Sequence, residues 1–245
     1  MYYWFDFINL LLTPLILIVL VCYCATEYRR LLARRYPKLY IAIVIPGTIL
    51  HELSHAIFVL LFGMRITRIS LWSGRIKGEQ GYVEFQYPKH SVWSQVGLFF
   101  VGLGPLFMLL LVTIVIGLIT NVTPTALDAH SLDSLINAIS HAANWYWSQN
   151  TIWVLIAIVI LPGIVPSTAD LKLAMIGAIA FLGLSLALAW FGHVTSLYNS
   201  WVTVLYQVQA WLVWSLVLTL LGAFVLLCAT YIVSILVPVS WFKRA

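Results

Sequence analysis

The sequence predicts an all-α polytopic membrane protein of about six transmembrane helices, with one small membrane-associated β-hairpin. Three observations carry that expectation. Of the 245 residues, 62% are hydrophobic and only 9% charged, whereas ordinary soluble domains carry about 25% charged residues. Several apolar segments reach the roughly 20 residues that a helix rising about 1.5 Å per residue needs to cross a hydrocarbon core of about 30 Å. Between two of them, "YVEFQY" alternates apolar and polar side chains with the period of a half-buried strand.

The expected spans are Phe7 to Ala25, Leu39 to Phe62, Val96 to Ile119, Ile152 to Val165, Leu171 to Phe191 and Trp211 to Val237. The first is followed by "TEYRR" without a small-residue cleavage pattern, so it is read as a retained span rather than a signal peptide. The fourth is short, and "LPGIVP" at its end predicts a stop or bend within the membrane. The hairpin strands are expected at about Ile66 to Trp72 and Tyr82 to Tyr87, joined by a turn containing Gly74, Gly78 and Gly81. Such a hairpin is either a solvated loop or an edge that pairs with an extended peptide. After the third span, Leu132, Leu135, Ile136, Ile139 and Ala143 recur at helical spacing before Trp145, Tyr146 and Trp147. That pattern suits a helix lying in the interface with aromatic anchors.

The net charge of +5 does not point to nucleic acid, because the basic residues flank apolar spans, where they set orientation and meet lipid headgroups. The expected surroundings are a lipid bilayer. With the N-terminus inside and six spans, eight of the thirteen Lys and Arg residues fall inside, and the two loops without any fall outside. Both termini are therefore expected to be cytoplasmic, in a multi-pass protein of a prokaryotic plasma membrane. The stretch "YRRLLARRYPK", holding Arg29, Arg30, Arg34, Arg35 and Lys38, is read as an outside loop and runs against the rule. Cys22, Cys24 and Cys228 lie inside expected spans without CxxC spacing, and behave as small hydrophobes.

Against this apolar background, "TILHELSHAIFVLLF" carries two histidines and a glutamate. Ionisable groups at mid-bilayer cost roughly 2.5 to 3.5 kcal/mol on insertion scales, so they default to functional candidates. His51 and His55 are one helical turn apart and project from one face, able to grip a single ion, with Glu52 beside them. This is the HExxH arrangement: the imidazoles hold Zn2+, a third protein ligand completes the set, and the glutamate moves the proton of a water. A satisfied polar cluster between helices is the bland alternative.

The third ligand can be sought by elimination. Of the acidic residues after Glu52, Glu79, Glu84, Asp128 and Asp133 lie in polar loops, and Asp170 alone sits where a span begins, in "LPGIVPSTADLK". Ser167 and Asp170 are also spaced as a capping box, so ligation, capping or both remain open. His193 is the next candidate ligand, whereas His90, His130 and His141 are expected in loops.

These features resemble the site-2 protease family of intramembrane zinc metalloproteases. "HELSHA" lies in an apolar helix, "FGMRITRISLW" follows it as the family's first hairpin strand does, "GLGP" matches its glycine-proline segment, and "LPGIVPSTAD" matches its proline-rich turn before an aspartate ligand. The resemblance covers roughly residues 41 to 172. It implies three core helices around zinc, a hairpin that presents substrate, and cleavage of an unwound transmembrane segment of a membrane protein or peptide. Ile66, Ile69, Tyr82, Val83 and Phe85 are the hairpin positions expected to meet substrate. The chain departs from the family in having no asparagine after the glycine-proline pair, and in placing Asp170 four residues after Pro166. The 245 residues are thus read as one integral membrane domain. Its parts are a first span and basic loop over 1–38, a metalloprotease core over 39–172 including the hairpin at 65–88, and C-terminal spans over 173–245.

Two rivals frame that expectation. A prenyl-protein protease would need a later glutamate ligand, and none follows Glu84. A non-proteolytic metal-binding membrane protein, or an inactive binder of transmembrane helices, stays open. Oligomeric state is not legible.

Overall fold

A computed structural model describes residues 2–73, 80–122, 132–194 and 198–236, with side chains from Leu12 onward except at 132–134, 184–186, 188–194, 198–203 and 205–206. The element order is α1 (Tyr2–Arg35), α2 (Pro37–Leu61), β1 (Arg65–Ser70), β2 (Tyr82–Gln86), α3 (Val92–Thr120), α4 (Leu132–Ser148), α5 (Thr151–Ile164), α6 (Thr168–Val194) and α7 (Tyr198–Leu236). The expected hairpin is present. Gly74 and Gly78 of its expected turn lie outside the described residues.

The first correction concerns "YRRLLARRYPK", which is not a loop. α1 runs on through Arg35, because its end from Glu27 is, apart from Tyr28, all Leu, Ala, Arg and Glu, which are good helix formers, and contains neither glycine nor proline. Only Tyr36 separates it from α2, which opens on a proline whose missing N–H costs nothing in a first turn. Tyr28 and Leu32 are consequently buried, and Arg29 faces protein rather than solvent alone. One of the five basic residues assigned to an outside loop therefore leaves the charge count.

Among the described residues, three helices are long and apolar enough to cross a membrane: Pro37–Leu61, Val92–Thr120 and Gln207–Leu236. A fourth arises if Thr151–Ile164 and Thr168–Gly183 are one span broken by a 59° bend. The fourth and fifth expected spans correspond to the two limbs of that bent pair. Pro162 and Pro166 bracket the bend, and each removes an N–H from the helical ladder.

α2 occupies the middle of the molecule, touching α1, α3, α5 and both strands, while α6 lies along α3 and α1 along α7. The larger core joins α1, α3, α4, α5 and α7 through residues such as Val21, Leu109, Ala142, Leu161 and Leu218. A smaller cluster, Val59, Phe62, Met64, Val96, Leu98 and Val101, lies where α2 and α3 meet the hairpin. The turn from α2 into β1 uses Gly63 at φ 68°, a left-handed position that other side chains resist. The Met64 N–H closes that turn on the Val59 carbonyl at 2.9 Å. The strands pair antiparallel with Ile66 opposite Phe85 and Ile69 opposite Val83, and the register shifts between Ile66 and Arg68.

α4 forms as its periodicity predicts and packs on α7. Ala138, Ala142 and Trp145 are buried, while Ile136 and Ile139 remain exposed. Small residues allow close packing against α7, leaving the branched ones outside. Trp145 and Tyr146 are not surface anchors: Trp145 is in the core, and the Tyr146 hydroxyl donates to the Leu218 carbonyl at 2.8 Å. Only Trp147 is fully exposed, at 93%.

Two helix contacts have no room for a side chain. A Cβ on Gly163 would come 2.5 Å from the Gly47 Cα, so α5 and α2 touch backbone to backbone; a Cβ on Gly102 would come 2.5 Å from the Asp170 carbonyl oxygen. By contrast, nothing lies within 4 Å of a Cβ on Gly183. Gly163→Ala is expected to lower stability by an overpacking cost of about 1–3 kcal/mol, and Gly183→Ala to leave it unchanged or raise it. Thermal unfolding in detergent, followed by tryptophan fluorescence, measures both; equal midpoints would show that α2 and α5 are not in contact at these glycines.

Candidate metal centre

α2 carries His51, Glu52 and His55, and its turn is tightened where the Ser54 hydroxyl donates to the His51 carbonyl at 2.5 Å. Both imidazoles are held through Nδ1. That of His51 donates to the Ile164 carbonyl at 3.1 Å, and that of His55 to the Val101 carbonyl at 2.8 Å. A carbonyl only accepts, so in each ring the proton is on Nδ1, and the neutral imidazole presents a lone pair at Nε2. The Val101 carbonyl is available because the residue four positions on is Pro105, which has no N–H to complete the helical bond. The "GLGP" segment therefore supplies an acceptor through its proline and close helix contact through Gly102.

The two Nε2 atoms are 3.2 Å apart. Asp170 reaches them from the first turn of α6, Oδ2 at 3.3 Å from His51 and Oδ1 at 3.2 Å from His55. These three residues form a group that can hold a metal ion. Their side chains are only 13%, 9% and 13% exposed, so water does little to screen them. Two lone pairs and a carboxylate this close repel one another unless a cation sits among them, which is the condition that a metal ion satisfies. Imidazole nitrogen with a carboxylate oxygen suits zinc, copper, iron or nickel better than magnesium or calcium.

Asp170 has both roles left open by the sequence. Its Oδ2 accepts from the Ser167 N–H at 2.6 Å, and its own N–H donates to Ser167 Oγ at 3.2 Å. That is a reciprocal capping box, and the same carboxylate faces the imidazoles. The cap holds it in place.

A cavity of about 400 Å³ opens beside the cluster, with Glu52, Arg29, Tyr82, Val83 and Phe85 also in its wall. Glu52 is 8% exposed. Gly81 lies directly over it, since a Cβ there would come 2.5 Å from the Glu52 Cγ. The hairpin thus closes one side of the cavity through Tyr82, Val83 and Phe85. Ile66 packs instead against the cluster around Val59, and Ile69 is exposed.

The remaining candidates are elsewhere. Glu84 is exposed and 3.9 Å from Arg68, and His90 is exposed. His141, expected in a loop, is on α4 with its ring edge-on to Trp214, centroids 6.5 Å apart. The side chains of Glu79, Asp128, His130, Asp133 and His193 lie outside the described residues. Sequence reasoning missed Arg29 in the cavity wall. The signal was present, because no helix breaker lies between Pro14 and Pro37. It also missed the carbonyls of Val101 and Ile164, of which the first is flagged by Pro105.

No protein-family model matches the chain, and comparisons with curated proteins and with solved structures give no match.

The two roles of Asp170 separate by substitution. Asp170→Asn keeps an acceptor for the Ser167 N–H but removes the charge, so it is expected to lose bound metal with stability changed by less than about 1 kcal/mol. Ser167→Ala should cost about 1 kcal/mol of stability and keep the metal. Metal content by mass spectrometry, paired with thermal unfolding, reads both; metal retained by Asp170→Asn would remove Asp170 from the ligand set.

Proposed function

We propose that this chain is a zinc-dependent intramembrane endopeptidase of the site-2 protease kind, hydrolysing peptide bonds in or near transmembrane segments of membrane proteins. The observation that carries this reading is the convergence of His51, His55 and Asp170 in a cavity that also contains Glu52. Four ligands at about 2.0–2.1 Å around a tetrahedral zinc are about 3.3–3.4 Å from one another. The two Nε2 atoms are 3.2 Å apart and each has one oxygen of Asp170 within 3.3 Å, Oδ2 for His51 and Oδ1 for His55, a spacing close enough for the three side chains to share one ion beside the cavity. When bound, zinc supplies Lewis-acid polarisation at the peptide carbonyl.

The chain's own residues supply the remainder. Glu52 takes a proton from the attacking water as its oxygen bonds to the carbonyl carbon, and gives a proton to the nitrogen as the C–N bond breaks. A peptide bond inside a helix is shielded by its neighbours, so the substrate must be extended locally and its backbone groups paired again. The β2 side of the hairpin, which borders the cavity through Tyr82, Val83 and Phe85, is placed to offer backbone partners to such a segment. In this reading the protein is multi-pass. α1 and the separate limbs α5 and α6 bring the passages to about six, with both termini in the cytoplasm of a prokaryotic cell.

Glu52→Gln tests the assignment. The amide cannot accept the proton, so cleavage of a transmembrane reporter in proteoliposomes is expected to fall by about 10²–10⁴-fold, with zinc content unchanged. Undiminished cleavage by Glu52→Gln would rule out the proposed mechanism. So would a wild-type protein that takes up no zinc.

A further inference from the structure

Arg29 is the basic residue in the cavity wall that the proposed reaction leaves unused. Its Nη2 donates to the Pro162 carbonyl at 2.5 Å. In a continuous helix that carbonyl would accept from the N–H four residues on, and residue 166 is a proline with none. The guanidinium therefore replaces a bond that the break in the span removes. It also places a permanent cation at the C-terminal end of α5, where the helix dipole favours one. Seven residues earlier, on the same face of α1, Cys22 Sγ lies 3.4 Å from the Pro166 carbonyl and donates to it. α1 thus grips the break at both of its prolines. Between them is Ile164, whose carbonyl orients His51, and four residues after the second is Asp170.

We propose that Arg29 is a positioning residue for the metal centre: by holding the Pro162 carbonyl, it fixes the break that orients His51 and presents Asp170. The inference rests on the preceding reading only in requiring that the cluster takes a metal. Partners outside the ligand set typically change metal affinity by about 10–100-fold when lost. Lysine can donate to the same carbonyl, but lacks the planar fork.

Cobalt(II) is the probe, titrated into detergent-purified, chelator-stripped full-length protein, with affinity from chelator competition and ligand geometry from the visible absorption bands. Arg29→Gln is expected to weaken cobalt binding by about 10–100-fold and to shift the bands. Arg29→Lys should recover much of the loss, falling between the wild type and the glutamine variant. Arg30→Gln, at an exposed position on the same helix, should match the wild type. A general loss of structure would not move the bands while leaving the thermal midpoint in place, so both are recorded. Wild-type affinity and bands in Arg29→Gln would overturn the proposal. If that variant does not fold, Arg29→Met, which keeps an apolar stem but cannot donate to the Pro162 carbonyl, takes its place, and wild-type affinity and bands there overturn the proposal instead. Because the readout is independent of cleavage, the positioning role and the protease reading fail separately: a Glu52→Gln variant that still cleaves sinks only the second. A wild type that binds no cobalt sinks both.

Discussion

The site depends on one interruption of helical hydrogen bonding, the break between α5 and α6. In apolar surroundings an unpaired backbone group costs several kcal/mol, so irregular backbone persists only where something satisfies it. Here the partners are side chains that also build the site. The Pro162 carbonyl accepts from Arg29, that of Ile164 from His51, and that of Pro166 from Cys22. On the other side of the break, the Ser167 N–H donates to Asp170, and the Asp170 N–H to Ser167. The break cannot close without its side chains, and they are held in place by the groups it exposes.

Proline and glycine act in pairs around this centre. Pro105 and Pro166 each withhold an N–H from the carbonyl four residues before, and in both cases a side chain of the cavity wall takes it up, His55 at Val101 and Arg29 at Pro162. Gly102 and Gly163 let the neighbouring helices approach to backbone contact. Gly102 faces the Asp170 carbonyl directly, and Gly163 precedes the Ile164 carbonyl used by His51. A methyl group at Gly102 would press on the Asp170 backbone without touching its side chain, and one at Gly163 would press α5 away from α2 at Gly47.

Much of this was legible because it is local. HELSH on a helix, the alternation of the hairpin, the bend at "LPGIVP" and the capping spacing of Ser167 with Asp170 are patterns within a few residues. What was missed depends on contacts between distant segments. Arg29 meets Pro162 across 133 residues, and no periodicity reports such a pairing. The aromatic end of α4 was misread: Trp145 and Tyr146 looked like interface anchors, whereas Trp145 enters the core and Tyr146 bonds the Leu218 carbonyl of α7. In a membrane, large apolar side chains are as comfortable facing lipid as protein, so hydrophobicity alone does not choose the face. The basic end of α1 was read as a loop because charge was weighed before helix propensity.

The two buried carboxylates of the cavity are kept apart by geometry. Asp170 faces both imidazoles and accepts from the Ser167 N–H, so its orientation is fixed from three directions. Glu52 is one residue from His51, which turns it about 100° around α2 from that ring. It stands in the same cavity without belonging to the ligand cluster. Its neighbour on the hairpin is Gly81, and a larger residue there would press on the Glu52 side chain. In the proposed reaction one carboxylate must stay still and the other must exchange a proton with groups that arrive and leave. The capping box immobilises the first. Gly81 lets the hairpin backbone lie against the second, while Glu52 still borders the cavity.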